Sequence, residues 1–254
     1  MKAALVGIAK DEDKYIDEWI TYHLNLGFDS VFLVQNKWRY SGQYKNHPRV
    51  HLVVDDGDAR QVHVYNDFIQ NMSMDYTHAA FFDIDEFLVP LVDKNLEEFL
   101  SRYDDDYGVH VNWRLFGDNG LSGSGQYDDL VLPRFTKRQI GFNHHIKTIL
   151  NFRNARRDLV RFLNPHFTNL ETVDTNRIRS VFGPYDYDPI YPIAQLNHYF
   201  CKTREEFIEK MKRGKADTAP SHPNYSRKMY EFDIHNKNEI VDTRAKDLWE
   251  AWTK

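Results

Sequence analysis

Two aspartates and a glutamate follow a short apolar run in HAAFFDIDEFLVP, residues 78–90. Asp83 and Asp85 stand two positions apart, and such positions point to the same side of an extended chain. Two carboxylates on one side repel each other unless a cation lies between them, and such oxygen ligands suit Mg²⁺ or Mn²⁺. A metal held this way can bind a diphosphate and neutralise the charge that develops as it leaves. The alternative interpretation is a solvated strand end whose aspartates cap a helix.

Apolar periodicity around this motif predicts the elements that position it. Strand, helix, strand, strand, helix and strand alternate, and in that order they cover residues 3–9, 11–27, 30–36, 49–56, 59–71 and 79–85. This order is typical of an α/β sandwich with a central, mostly parallel sheet. Ligands on such sheets bind at the carboxyl ends of the strands, so we expect the polar groups that end three of these strands to line one crevice.

The second half of the chain mixes shorter predicted elements. Helices are predicted at 95–103, 203–214 and 245–252, strands at 107–117, 144–152 and 177–183, and a glycine-rich loop at 117–129. In the helix at 203–214, Thr203 and Glu206 form a capping box and Gly214 ends the helix. The glycines of 117–129 do not form a phosphate-binding pattern, since no helix follows them.

Composition restricts the class of protein. The 254 residues suit one large domain, and the net charge of -5 argues against a nucleic-acid partner. No segment has the pattern of a signal peptide or the length of a membrane span. The single cysteine, Cys201, is expected to be a small core residue. Together these features predict a cytoplasmic protein. The arginine-rich run 152–162 reads first as a solvated face, and contact with an anionic acceptor or a membrane surface is left open. Aromatic residues make up 15%, which suggests a site that stacks on rings.

Five segments in order carry a resemblance to a known family. They read AKDEDKYIDEWITYHLNLGFD, DARQVHVYND, FFDIDEFLVP, VNWRLFGDNGL and LNHYFCKTREEFIEKMKRG. The chain resembles GT-A-type glycosyltransferases of the group near family 92, with a glycosyltransferase-2-like D-x-D-E-F motif, from residue 6 to about residue 216. The resemblance implies a Rossmann-like GT-A sandwich with a nucleotide-binding half (about 1–105), an acceptor half (about 106–215) and a C-terminal helical extension (216–254).

The activity that this resemblance implies is that of a hexosyltransferase. The enzyme would use Mn²⁺ or Mg²⁺ to move a sugar from a nucleotide diphosphate sugar, expected to be UDP-linked, to a glycan or glycoconjugate acceptor, with inversion. Asp83 and Asp85 would bind the metal, with His198 as third ligand and His166 in reserve. The implied donor contacts are Lys10, Asp11, Glu12, Asn36, Gln61, Asp83, Lys202 and Arg213. For the polar positions other than Asp83, loop, cap or solvated roles are the alternative; for His198 it is a satisfied core histidine.

Asp118 is the predicted catalytic base. It follows the apolar strand VNWRLFG and opens the glycine-rich loop, where a carboxylate can reach an acceptor hydroxyl. Glu86 stands too close to the metal pair for this role but can orient a ligand. The alternative for Asp118 is a turn formed with Asn119 and Gly120, since D-N-G is favourable turn chemistry. The family loop usually reads F-G-S where this chain has Phe116-Gly117-Asp118.

Two other functions fit parts of the sequence. A haloacid-dehalogenase-type phosphohydrolase also places D-x-D after an apolar strand, with the first aspartate as nucleophile. Its motif normally opens the first strand, whereas here it lies on about the fourth. A non-catalytic sugar-binding module would use the aromatic residues but would leave the carboxylates at the sheet edge unexplained.

Overall fold

The structure, a computed structural model, describes residues 1–123, 130–189, 191–215 and 217–253. In chain order the strands are β1 (Ala3–Ala9), β2 (Ser30–Gln35), β3 (Val50–Val54), β4 (His78–Phe81), β5 (Glu86–Pro90), β6 (Gly108–Leu115), β7 (Lys137–Arg138), β8 (Ile146–Asn151), β9 (Phe162–Asn164), β10 (Phe167–Thr168), β11 (Thr172–Val173), β12 (Ser180–Val181), β13 (Ala194–His198) and β14 (Ile240–Val241). The helices are α1 (Asp13–Leu26), α2 (Gln61–Asp67), α3 (Leu96–Leu100), α4 (Val131–Arg134), α5 (Arg204–Arg213), α6 (Met229–His235) and α7 (Arg244–Thr253). A π-helical turn, Phe68–Met72, continues α2, and a 3₁₀ turn, Ser101–Tyr103, follows α3.

A large, mostly parallel sheet forms the centre, which confirms the predicted α/β class. Its main path runs β12-β11-β6-β8-β4-β1-β2-β3 through the described residues, with β13 joining β5 to β6. Strands β1, β2, β3 and β4 pair in parallel, whereas β8 runs antiparallel between β4 and β6. The carboxyl ends of β1, β2, β4 and β6 therefore share one edge of the sheet with the start of β8.

Helix α1 packs directly on β1 because the strand has a glycine, Gly7, at the point of contact. A Cβ atom added to Gly7 would lie 2.8 Å from the Trp19 ring and 3.2 Å from the carbonyl oxygen of Phe82. The Trp19 Nε1 donates to the carbonyl oxygen of Glu86 at 3.0 Å. This close approach joins α1, the end of β1 and the D-x-D segment into one packed unit.

Asp83 and Asp85 do not lie on a strand, so the prediction of a strand over 79–85 is wrong at its carboxyl end. Strand β4 ends at Phe81, and the Glu86 N–H donates to the carbonyl oxygen of Asp83 at 3.0 Å, which closes a turn before β5. The two carboxylates therefore reach the same cavity because of this turn and not because of the two-residue period of a strand.

The predicted helix at 203–214 is confirmed as α5, with the Thr203–Glu206 capping box and Gly214 at its end. Helix α7 is also confirmed, and Leu248, Trp249 and Trp252 pack against the main core. The elements that were not predicted are β5, β7, β9, β10, β11, β13, β14, α4 and α6. The expectation that no helix follows the glycine-rich loop 117–129 is wrong, because the short helix α4 begins at Val131. Positions 124–129 of that loop lie outside the described residues.

The arginine-rich run 152–162 is largely paired within the protein. Arg153 contacts Asp104 at 2.8 Å, and Arg157 donates to the carbonyl oxygens of Ser73 and Tyr76. The run therefore helps to fix the loop after β8. In the described part of the chain, no helix combines the length and the apolar character needed to cross a membrane.

Candidate functional site at the carboxyl edge of the sheet

A cavity of about 260 Å³ lies at the sheet edge where β1, β4 and β6 end. The turn between β4 and β5 contributes Asp83 and Asp85, and the end of β13 contributes His198. Helix α5 and the segment that follows it cover the opposite wall. The predicted convergence of strand ends on one crevice is therefore seen for β1 and for the segment after β4.

Asp83 is held by one neutral donor and one cation. Its Oδ1 accepts from Gln61 Nε2 at 2.6 Å, and its Oδ2 lies 3.0 Å from Lys147 Nζ. Burial by itself would raise the pKa of Asp83, but the Lys147 ammonium, which also hydrogen-bonds the carboxylate, and His198 together lower that pKa below its ordinary value. The side chain keeps 34% of its surface exposed, so one face of this carboxylate remains open to a ligand.

Asp85 lies deeper and among more cations. Its Oδ2 is 2.6 Å from Lys210 Nζ and 3.9 Å from Lys202 Nζ, and its Oδ1 is 3.5 Å from His198 Nε2. Burial would raise the pKa of Asp85, yet Lys210, His198 and Lys202 together hold it well below its ordinary value. Asp85 is therefore ionised at neutral pH.

Lys147 is a site residue that sequence reasoning missed. It lies on β8 with no exposed side-chain surface, and its Nζ lies between Asp83 and Glu86, 3.6 Å from Glu86 Oε2. Burial opposes its charge, but the carboxylates of Asp83 and Glu86 raise the pKa of Lys147 above its ordinary value. A lysine between apolar residues in the predicted strand 144–152 was the available signal.

Glu86 stabilises the turn between β4 and β5 by a contact with its backbone. Its Oε2 accepts the Asp83 N–H at 2.9 Å, and the residue is fully buried. Burial raises its pKa well above the ordinary value, although Lys147 opposes this effect. The predicted role of Glu86 in orienting a ligand is consistent with this contact, because Glu86 fixes the backbone of Asp83.

We call the wall formed by Lys10, Glu12, Lys210 and Arg213 the charged side of the cavity. Arg213 pairs with Glu12, and Lys10 Nζ donates to the carbonyl oxygen of Arg213 at 2.8 Å. Burial raises the pKa of Glu12, against the effect of Arg213. These ion pairs tie the end of β1 to the end of α5.

A second cavity of about 560 Å³ lies behind the Glu12–Arg213 pair. Asp11 and Lys202 line this cavity, not the first one. Both have left-handed backbone, with φ values of 52° and 51°, a conformation that is uncommon for residues other than glycine. The Lys202 ammonium lies 4.4 Å from the centre of the Tyr15 ring.

Two predicted site residues lie away from the cavity and make local contacts. The Asn36 amide donates to the carbonyl oxygens of Asp55 and Gly57, at 2.7 and 2.8 Å. The Asp118 carboxylate accepts from Asn236 and Asn238, each at 2.9 Å. Asn36 thus fixes the loop after β3, and Asp118 joins its own turn to the segment after α6.

We call the wall formed by Trp113, His145, His166 and His198 the aromatic side of the cavity. Trp113 stacks on His145 with ring centroids 4.6 Å apart and lies 4.1 Å from His198 and 5.2 Å from His166. The His166 Nδ1 donates to the carbonyl oxygen of Ile146 at 2.9 Å, which fixes that tautomer. Sequence reasoning missed Trp113 and His145.

The side chains of the cavity offer ligand atoms that suit a hard divalent ion, but they are not arranged around one common centre. Among the described residues, no group of three or more His, Cys, Asp or Glu side chains is arranged to hold a metal ion. Asp83 and Asp85 nevertheless line one cavity with His198, whose buried Nδ1 has no hydrogen-bond partner in the described structure. Mg²⁺ is usually held by one or two carboxylates together with substrate phosphates, and this incomplete set matches that pattern.

The fold and the cavity define an α/β protein with a charged and aromatic pocket at the carboxyl edge of its sheet. A scan against protein-family models found no match for the chain, and a search of curated proteins found none.

Proposed function

We propose that this protein is a GT-A-type, metal-dependent glycosyltransferase that moves a sugar from a nucleotide diphosphate sugar, UDP-linked by preference, to a glycan or glycoconjugate acceptor. The observation that carries the proposal is the placement of Asp83 and Asp85. They face one cavity directly after a central parallel strand, at the sheet edge where α/β proteins bind their ligands.

The charged side supplies groups suited to a diphosphate. Lys10, Lys210 and Arg213 line the cavity together, and each can donate to phosphate oxygens. Lys210 and Arg213 pair with carboxylates of the protein, and Lys10 donates to a carbonyl oxygen and to the Tyr225 hydroxyl, so an anionic ligand would exchange existing contacts of these cations for new ionic ones. Such an exchange avoids the cost of leaving a buried charge unpaired.

A metal ion in this cavity would be held by Asp83 and Asp85, with His198 beside them. When bound, it would neutralise charge on the leaving diphosphate. The protein's own residues do the rest: Gln61 and Lys147 orient Asp83, and Glu86 fixes its backbone, whereas Lys210 pairs with Asp85 and would compete with a metal for it. Side chains that bind a metal ion directly usually depend on supporting contacts of this kind for their orientation.

Removal of the acceptor proton needs a carboxylate near the acceptor. Asp118, predicted for this role, is bound by two asparagines outside the cavity. Of the carboxylates in the described cavity lining, Asp217 comes from the segment after α5 and Glu231 from α6, and neither belongs to the D-x-D turn or to the end of β1. We therefore propose these two as candidates for the base, ahead of Asp118.

The test is hydrolysis and transfer of a panel of UDP- and GDP-sugars with Mn²⁺, with Mg²⁺ and with a chelator. We expect turnover of a UDP-sugar that requires the metal, and thermal stabilisation by UDP with Mn²⁺, since a ligand that binds the folded state raises its stability. A protein that neither binds nor turns over any of these nucleotides would contradict the proposal. Stronger stabilisation by GDP would overturn only the choice of donor base.

One observation favours a phosphohydrolase as the second candidate. Lys147 lies 3.0 Å from Asp83, and a lysine beside a nucleophilic aspartate would stabilise the attacking carboxylate. Hydrolysis of a simple phosphate monoester with Mg²⁺, abolished by Asp83→Asn, would identify this function. A glycosyltransferase leaves such an ester intact.

A further inference from the structure

Five aromatic rings form a continuous row from the cavity to the surface. In order, the ring row consists of His198, Trp113, His145, Tyr185 and Tyr187. Successive ring centroids are 4.1, 4.6, 4.8 and 5.8 Å apart. The inner end of the row lies beside Asp85, and Tyr187 at the outer end is 75% exposed.

Backbone pairing holds the outer rings in place. His145 and Tyr185 form an antiparallel bridge, the Asp186 N–H donates to the carbonyl oxygen of His144 at 2.8 Å, and the Ile146 N–H donates to that of Pro184 at 3.3 Å. The segment with both tyrosines is therefore attached to the start of β8, which belongs to the central sheet. The surface that a ligand would contact on the row is therefore already ordered, and ligand binding would cost little conformational entropy.

We propose that the ring row binds the sugar rings of a neutral glycan acceptor and leads its reacting end to Asp85; the role of acceptor, though not the binding itself, rests on the proposed function. Aromatic faces carry partial negative charge and attract the positively polarised C–H groups on the face of a pyranose. The charged residues beside the outer rings contact each other, since Arg179 pairs with both Asp186 and Asp188, so the ring faces suit an uncharged polyol better than a phosphate. Its rings continue the cavity wall, so the bound chain would extend from the reacting centre to the solvent.

The position of the row separates it from the donor. Strand β1, whose end carries Lys10 and Glu12 of the charged side, lies on one side of β4 in the sheet, and β6 and the start of β8, which position Trp113 and His145 of the row, lie on the other. The D-x-D turn lies between them. A nucleotide held by the charged side therefore leaves the row free for a second substrate.

The experiment is ligand-observed NMR and calorimetry with cellotetraose, chitotetraose and maltotetraose, without donor or metal. We expect at least one to bind the wild-type protein, and Tyr185→Ala and Tyr187→Ala each to weaken that binding by about fivefold or more, as loss of one stacking contact does. Tyr187→Phe keeps the ring and should retain most of the affinity. Tyr107→Ala is the matched control, because Tyr107 is 52% exposed and lies before the opposite end of β6.

The outcomes separate this inference from the proposed function. No binding of any tetrasaccharide, equal binding by wild type and Tyr187→Ala, or a loss of UDP affinity in Tyr187→Ala would each overturn the ring row as a glycan site. A protein that binds a tetrasaccharide through the row but transfers no sugar keeps the binding site and loses the enzymatic proposal. A transferase whose acceptor KM is unchanged in Tyr185→Ala and Tyr187→Ala keeps the proposed function and loses this site.

Discussion

The charged side and the aromatic side of the cavity meet at the same D-x-D turn but are stabilised by different kinds of contact. On the charged side, the carboxylates contact cations: Glu12 pairs with Arg213, and Asp85 with Lys210. On the aromatic side, rings contact rings, and the buried Nδ1 of His198 and Nε1 of Trp113 have no hydrogen-bond partner among the described residues. Ionic groups can be buried only with compensating charge, whereas aromatic rings are stable against one another.

This difference indicates how each side would respond to a ligand. An anion or a metal ion entering the charged side must compete with existing ion pairs, so its affinity depends on which pair it displaces. A neutral ring entering the aromatic side displaces no ionic partner. Substitutions on the charged side should therefore have large effects of either sign, and those on the aromatic side smaller effects of one sign.

The largest effect is expected from Asp85→Asn. The variant loses the negative charge that would hold the metal, and we expect metal-dependent turnover to fall by about 10³-fold, since a metal contributes several kcal/mol to the transition state. Asp83→Asn should behave similarly, and steady-state rates over a Mn²⁺ titration measure both. Asp158→Asn, at a surface ion pair with Arg156, is the control. Wild-type rates in both D-x-D variants would show that neither carboxylate holds a required metal.

A pH effect is expected beneath the charged side, at Glu18 of α1. Burial raises the pKa of Glu18 from 4.5 to about 7, although its carboxylate accepts the N–H groups of Val131 and Leu132. The folded state thus holds this proton up to about pH 7, whereas the unfolded chain releases it near pH 4.5. Between these values the folded state binds more protons, so the contribution of Glu18 to stability falls as pH rises.

We expect this contribution to change by about 3 kcal/mol across that window. Urea unfolding of wild type and Glu18→Gln at several pH values measures it, because glutamine cannot titrate and the other groups cancel in the difference. Glu209→Gln removes an exposed carboxylate and should run parallel to wild type. A constant difference between wild type and Glu18→Gln from pH 4.5 to 7 would mean that Glu18 ionises normally in the folded protein.

Lys210→Met tests whether ligands compete with the existing ion pairs. Lys210 Nζ lies 2.6 Å from Oδ2 of Asp85, a carboxylate that would hold the metal, so removal of the ammonium should tighten Mn²⁺ binding by about tenfold. The same change removes a donor to the diphosphate and should weaken UDP binding. Calorimetry with Mn²⁺ alone and then with UDP measures the two effects. Lys212→Met, at an exposed lysine two residues on, is the control, and weaker Mn²⁺ binding in Lys210→Met would contradict competition.

The sequence predicted the charged side better than the aromatic side, for a physical reason. Asp83, Asp85, Lys10 and Glu12 follow apolar strands directly, and strand ends of a parallel sheet meet at one edge whatever the details of pairing. These four side chains could therefore be predicted to lie at one edge of the sheet without knowledge of the strand order. His198 also lies at the cavity, but its apolar neighbours alone favoured a core histidine, and only the family resemblance implied a late side chain near the metal.

The aromatic side depends on pairings that local patterns do not encode. Trp113 and His145 meet because β8 runs antiparallel between β4 and β6, and Tyr185 joins them through an isolated bridge. Lys147 reaches Asp83 by the same insertion of β8. Such contacts between distant segments are set by the tertiary fold, and periodicity within a window of the sequence carries no information on them.

The smallest effect is expected from Asp118→Asn, which tests the proposed location of the base. The Asp118 carboxylate accepts from Asn236, Asn238 and the Gly120 N–H, so an asparagine would turn its amide group toward another donor. We expect a loss of about 1 kcal/mol in the free energy of unfolding and turnover within a few-fold of wild type. A base would instead contribute about 10²–10⁴-fold to the rate, so Glu231→Gln or Asp217→Asn should show that loss without a change in stability. Unfolding curves and kcat for the three variants decide between these outcomes. If kcat falls by that factor in Asp118→Asn alone, with the product inverted at the anomeric carbon, the base lies on the loop after β6 and the segment that includes α6 must open to release it.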